Sequence, residues 1–123
     1  MKIETGYFAN WRKYKEKVMI GVVRIPPIGF KGYNLIELAP PAYLLQAYKQ
    51  NKISIEEFSK QYLEYINSVD ILAVLEPFKE LDIVLCCFEK SGTFCHRHLL
   101  ADVIKRKYNI EVREAGGTSD ESI

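Results

Sequence analysis

Residues 83–88, IVLCCF, are six apolar positions in a row, bounded by Asp82 and by the polar stretch 89–93. Such a run is too short for a helix and is rich in strand formers, so it predicts a buried β-strand. Beyond the polar stretch, Leu99, Leu100, Val103 and Ile104 recur at helical spacing and predict an amphipathic helix to about residue 108. Strand, short loop and helix in that order make half of a βαβ unit. Ligands of open α/β sheets sit at the carboxyl ends of the strands. That position holds Glu89, Lys90, Ser91, Thr93, Cys95, His96 and Arg97.

The remaining pattern supplies a frame for this unit. Residues 2–8 alternate weakly and predict a strand, and residues 10–17 predict one or two helical turns or a tight loop, with Asn10 as cap. The unbroken run VMIGVV at 18–23 suits a central parallel strand buried on both faces. Residues 25–41, with Pro26, Pro27, Gly29, Gly32, Pro40 and Pro41, cannot form one regular element. A packed loop this long either roofs the site or is a crossover pinned by its prolines. Pro41 opens a helix to about Gln50. Ser54 and Glu57 have capping-box spacing ahead of a second helix, and a third begins at Asp70 and ends near Pro77. Residues 110–114 alternate and read as an edge strand.

These elements predict an α/β fold: a small three-layer domain over residues 1–114 with a mainly parallel, four-stranded sheet, and a disordered tail over 115–123. Right-handed crossovers place helices on both faces, and analogy with doubly wound folds gives the order second, first, third, fourth strand.

Charge alters this picture little. Seventeen basic against sixteen acidic residues leave a net +1, so nucleic acid is not indicated by charge. The basic patch Lys105, Arg106, Lys107 reads as cations at a helix C-terminus, and the eight tyrosines read as half-buried core aromatics. No run approaches the roughly 18 apolar residues of a membrane span. Three cysteines, an odd number, in a chain without a signal peptide read as reduced thiols in the cytoplasm.

The loop after the long apolar strand carries the candidate chemistry. Ser91 or Thr93 caps the helix, Gly92 allows close backbone approach, and the first-turn amides attract an anion, helped by Lys90 and Arg97. The same helix end lowers the pKa of a thiol, which singles out Cys95, whereas Cys86 and Cys87 read as small hydrophobes within the strand. On the helical wheel His96 points along the buried stripe and His98 outward. His96 is then a core histidine bonded to backbone carbonyls, a polar group of a ligand site or a metal ligand. A zinc site from Cys87, Cys95 and His98 lacks a fourth ligand, so no metal site is assigned. A phosphatase or rhodanese-like loop needs its cysteine and arginine closer in sequence than Cys87 and Arg97.

The block CCFEKSGTFCHRHLLADVI resembles the signature of the domain-of-unknown-function family 488, in which an apolar strand, a Glu-Lys pair and a variable loop precede Cys-His-Arg and an apolar helix. TGYFANWRK near the start, and the Leu-Ala-Pro segment with the helices after it, are similar to the family's short, phage- or bacterium-encoded branch. Where many relatives carry Pro-X-Trp-Tyr-X-Gly, this chain has Pro27-Ile28-Gly29-Phe30-Lys31-Gly32. The resemblance implies a compact α/β fold and marks Glu89, Lys90, Cys95, His96 and Arg97, but assigns no reaction or cofactor. Two functions are compatible with the loop. One is an enzyme acting on a nucleotide, nucleic-acid end or other phosphate-bearing ligand, with Cys95, His96 and Glu89 as catalytic groups and Lys90, Ser91, Thr93 and Arg97 holding the anion. The other is a noncatalytic module that recognises a phosphorylated or nucleic-acid partner.

Overall fold

The computed structural model describes residues 2–90 and 94–115. Its centre is a parallel five-stranded sheet: β1 (Lys2–Tyr7), β2 (Val18–Gly21), β3 (Tyr33–Asn34), β4 (Asp82–Cys87) and β5 (Val112–Glu114), in the order β3-β2-β4-β1-β5. Four α-helices accompany it: α1 (Ala42–Lys49), α2 (Ile55–Asn67), α3 (Ile71–Leu75) and α4 (His96–Tyr108). The α/β fold follows the sequence pattern, with one added strand. The two residues of β3 lie inside the proline-rich loop, where Asn34 clamps β2 by side-chain bonds to both the N–H and the C=O of Val23.

The strand order differs from the analogy. β4 lies between β2 and β1, and β1 lies next to the edge strand β5. A six-residue register from Lys2 opposite Asp82 to Tyr7 opposite Cys87 makes β1 and β4 the central pair. The chain leaves β1 towards one edge and leaves β4 towards the other. Right-handed crossovers then send these two connections over opposite faces.

Those connections are unequal, and so are the faces. Ile3, Ile20, Ile83 and Leu85 pack with Leu44, Phe58, Tyr62, Ile66, Ile71, Leu75, Leu100 and Ile104, so all four α-helices share one core. On the other face Val84 and Cys86 meet Phe8 and Tyr14 from a 3-10 helix, Phe8–Tyr14, which is the whole of the β1–β2 crossover's regular structure. Asn10 does not cap this helix; it lies inside it and donates to Tyr14 Oη. Gly6 is what lets Tyr14 lie over β1, since a Cβ there would come within 2.4 Å of its hydroxyl oxygen.

The helix boundaries have local causes. Ser54 Oγ accepts from the Glu57 N–H at 3.0 Å, and Asp70 Oδ1 accepts from the Ala73 N–H at 3.2 Å, each satisfying a first-turn donor. The return half of the Ser54 box is not made, because Glu57 Oε2 accepts from Gln61 instead. α3 stops before Pro77. α4 ends at Asn109, in the left-handed conformation with φ of 57°. Ala115 is buried and its N–H donates to Thr5 O, extending the β1–β5 ladder; the rest of the expected tail lies outside the described residues.

Candidate active site

β1 and β4 are adjacent strands whose connections leave in opposite directions, the topological switch point at which open α/β sheets bind ligands. Their carboxyl ends bring together Tyr7, Cys87 and the start of α4. α4 begins at His96, so Cys95 is its extended flanking residue rather than a member of its first turn. With Cys95 as the flanking residue, neither Ser91 nor Thr93 is the expected cap of α4; as candidate anion-binding residues these two, with Gly92, lie outside the described residues.

Cys87 and Cys95 are bonded to each other as a disulfide. This corrects the expectation of three reduced thiols. Cys87, the last residue of β4, is buried in the smaller core cluster as expected of a small hydrophobe, but it is bonded to Cys95 beside the start of α4. Cys86, one residue earlier, points to the opposite face, is fully buried, and is the free cysteine. Burial pushes its thiol up to about 12.

Arg97 is fully buried and its donors all face inward. Nε and Nη2 donate to the two oxygens of Glu114 at 3.2 and 2.7 Å, and Nη1 donates to the Glu89 carbonyl oxygen and to Cys87 Sγ, the latter at 2.8 Å. Thr5 Oγ1 donates to Glu114 Oε1 at 2.6 Å, and the guanidinium lies 5.8 Å from the centre of the Tyr7 ring. The ten-residue separation of Cys87 and Arg97 therefore does not keep them apart, since the chain doubles back between β4 and α4.

His96 is buried against the Tyr62 ring, with Nε2 2.6 Å from the carbonyl oxygen of Val22. A carbonyl only accepts, so Nε2 carries the hydrogen and Nδ1 presents a lone pair. Nδ1 lies 3.8 Å from Cys95 Sγ. Burial lowers the ring to about 4, with Arg97 adding to the effect, so the imidazole is neutral near pH 7. His98 is half-buried rather than fully outward, and burial lowers it too.

The structure thus gathers Cys95, His96, Arg97, Thr5 and the Glu89 backbone. Glu89 and Lys90 are exposed, and the Glu89 carboxylate lies 3.6 Å from Cys87 Sγ. Arg24 is not in this group; it borders a separate depression with Ile25 and α1. Cys87, Cys95 and His96 place one candidate metal-ligand atom each within 4.8 Å of one another, so His96, not His98, is the histidine beside the thiols.

Sequence reading weighed Cys87 and gave it no role in the site, and it missed Glu114. For Glu114 the signal was the alternation of the edge strand itself, which puts it on the face of buried Val112 and opposite to exposed Arg113.

Residues 3–108 match the family model DUF488-N3a, described as the active DUF488-N3 subclade. The chain belongs to the DUF488 family. The match spans both ends of the site, from β1 through Cys95, His96 and Arg97 to the end of α4. No curated protein and no solved structure matches the chain.

Proposed function

We propose that this DUF488 protein is an enzyme that uses Cys95 and Cys87 on a phosphate-bearing substrate such as a nucleotide or a nucleic-acid end. The observation that carries the reading is the meeting of two cysteines at the switch point, one beside a buried guanidinium and the other beside an imidazole lone pair. A bridge kept for stability would not require either neighbour. The description of the matching subclade as active points the same way.

In the reduced protein Arg97 favours a negative sulfur at Cys87 by a charge-assisted hydrogen bond. His96 Nδ1 accepts the Cys95 proton. The Cys95 sulfur attacks the substrate, forming a bond to its electrophilic centre while the leaving group departs with its electron pair and that proton. Water, oriented by Glu89, then releases the product and restores the thiol. The Cys87–Cys95 bond is the resting form, opened by two electrons and two protons from a thiol reductant. Arg97 serves the thiols and Glu114, so holding the anion falls to Lys90 with Ser91 and Thr93.

The test is incubation of reduced protein with mononucleotides and short oligonucleotides, followed by product analysis and intact-mass spectrometry. Reductant-dependent turnover or a covalent adduct, lost in Cys95→Ser, is expected. Binding of the same ligands with equal product in wild type and Cys95→Ser would instead favour the noncatalytic module.

A further inference from the structure

One cavity of the described residues lies away from the cysteines. It opens on the thinly covered face of the sheet, has a volume of about 960 Å³, and lies between the 3-10 helix Phe8–Tyr14 and residues 27–33. That size is in the range of small-ligand sites, roughly 300–1,000 Å³. Its walls include Phe8, Trp11, Phe30, Tyr33 and Phe88 over a floor of Val18 and Met19.

Two features separate this basin from an ordinary gap. Three of its aromatics stay open to solvent: Trp11 is 52% exposed, Tyr33 60% and Phe88 51%, although large rings are residues that folding usually covers. Its charge also has one sign. Lys15, Lys17 and Lys31 line it and no Asp or Glu does. Lys17 is held by Glu4, while Lys15 and Lys31 make no ion pair among the described residues.

The wall is also held in place. Phe30 packs edge-on against Phe8 with ring centres 5.0 Å apart, and Phe8 meets Phe88 at 5.1 Å. Gly32 makes room for Phe30, since a Cβ there would come within 2.5 Å of that ring and 2.6 Å of the Met19 carbonyl oxygen. Gly29, at φ of +87°, turns the loop that carries Phe30. Phe8 and Phe88 directly follow Tyr7 and Cys87, so this aromatic wall begins where the two central strands end at the thiols.

From these observations we infer that the basin binds a small molecule with a planar aromatic body and an anionic group, the chemistry of a mononucleotide. The rings supply stacking surface, and Lys15 and Lys31 supply the counter-charge. The inference rests on the proposed enzymatic reading only in directing the reacting end of the ligand towards Cys87 and Cys95; occupancy of the basin needs neither thiol.

Trp11 is the single tryptophan of the chain and lies in the basin, so intrinsic fluorescence reports on this site. Titration of the full chain with adenosine and uridine 5′-monophosphates is expected to give a saturable change, with at least tenfold weaker binding for the free nucleosides and for ribose 5-phosphate. Lys15→Glu with Lys31→Glu, both exposed positions, is expected to weaken binding at least tenfold with the circular dichroism spectrum unchanged. Cys95→Ser is expected to bind as wild type does, so saturable binding without any reductant-dependent chemistry in the wild type would sink the enzymatic reading alone. Absence of saturation with both nucleotides, an equal response to inorganic phosphate, or concentration-dependent dimerisation abolished by Phe88→Ser would each overturn the ligand site.

Discussion

Arg97 Nη1 lies 2.8 Å from Cys87 Sγ while the same guanidinium grips both oxygens of Glu114. One buried cation thereby ties α4 to the edge strand β5 and to the end of β4. Removing it takes two charged donors from a carboxylate that is nearly out of water. Arg97→Ala is expected to lower stability by about 3–5 kcal/mol. Arg97→Met combined with Glu114→Leu is expected to recover most of that loss while lowering the reactivity of Cys87. Chemical denaturation of the single and double variants checks the first part, and a double variant no better than Arg97→Ala would argue against an uncompensated charge as the cause.

Gly6 and Tyr14 make a second coupled pair. A methyl group at Gly6 would meet the Tyr14 hydroxyl and Val84 Cγ1, at 2.4 and 2.8 Å. Gly6→Ala is expected to cost about 1–3 kcal/mol, and Tyr14→Phe in the same chain to recover part of it by removing the nearest atom. Equal stability of wild type and Gly6→Ala would show that the 3-10 helix is not seated as described.

The fold shows why some of this was legible in the sequence and some was not. The apolar runs at 18–23 and 83–88 gave the buried parallel strands, and the Ser54 and Pro77 signals gave helix ends, because each depends on local chemistry alone. Strand order depends instead on which way each connection runs. The β1–β2 crossover carries no long amphipathic helix to announce its face. The Cys87–Cys95 bond and the Arg97–Glu114 pair join residues of different elements, and helical periodicity of α4 alone does not identify partners on β4 and β5.

His96 sets the acid response. Its pKa falls from an ordinary 6.5 to about 4 in the folded protein, so between those values the unfolded chain binds more protons and stability rises with pH. Acidification from pH 7 to below 4 removes about 3 kcal/mol through this ring, and His98, lowered in the same direction, adds to the slope. Denaturation midpoints should therefore fall as the pH is lowered from 7 to 4, and the fall should be shallower in His96→Gln. An unchanged slope in that variant would place the acid sensitivity elsewhere.

Metal is the next point at which the site can be probed. Cys87, Cys95 and His96 converge, but the Arg97 guanidinium already occupies one side of Cys87 and repels a cation. Purified protein, reduced and exposed to zinc, is expected to retain well under one equivalent after dialysis. One tightly held zinc per chain by elemental analysis would assign the three residues to a metal centre.

The most direct test of the thiol-pair reading is alkylation of the folded protein with iodoacetamide, mapped by peptide mass spectrometry before and after reduction. Protein purified without reductant is expected to take up no label at Cys87 or Cys95. After reduction both are expected to label near neutral pH, with Cys86 unreactive until the chain unfolds because burial holds its thiol at about 12. Inert Cys87 and Cys95 in the reduced, folded protein, or labelling of Cys86 ahead of them, would contradict a reactive cysteine pair at the end of β4.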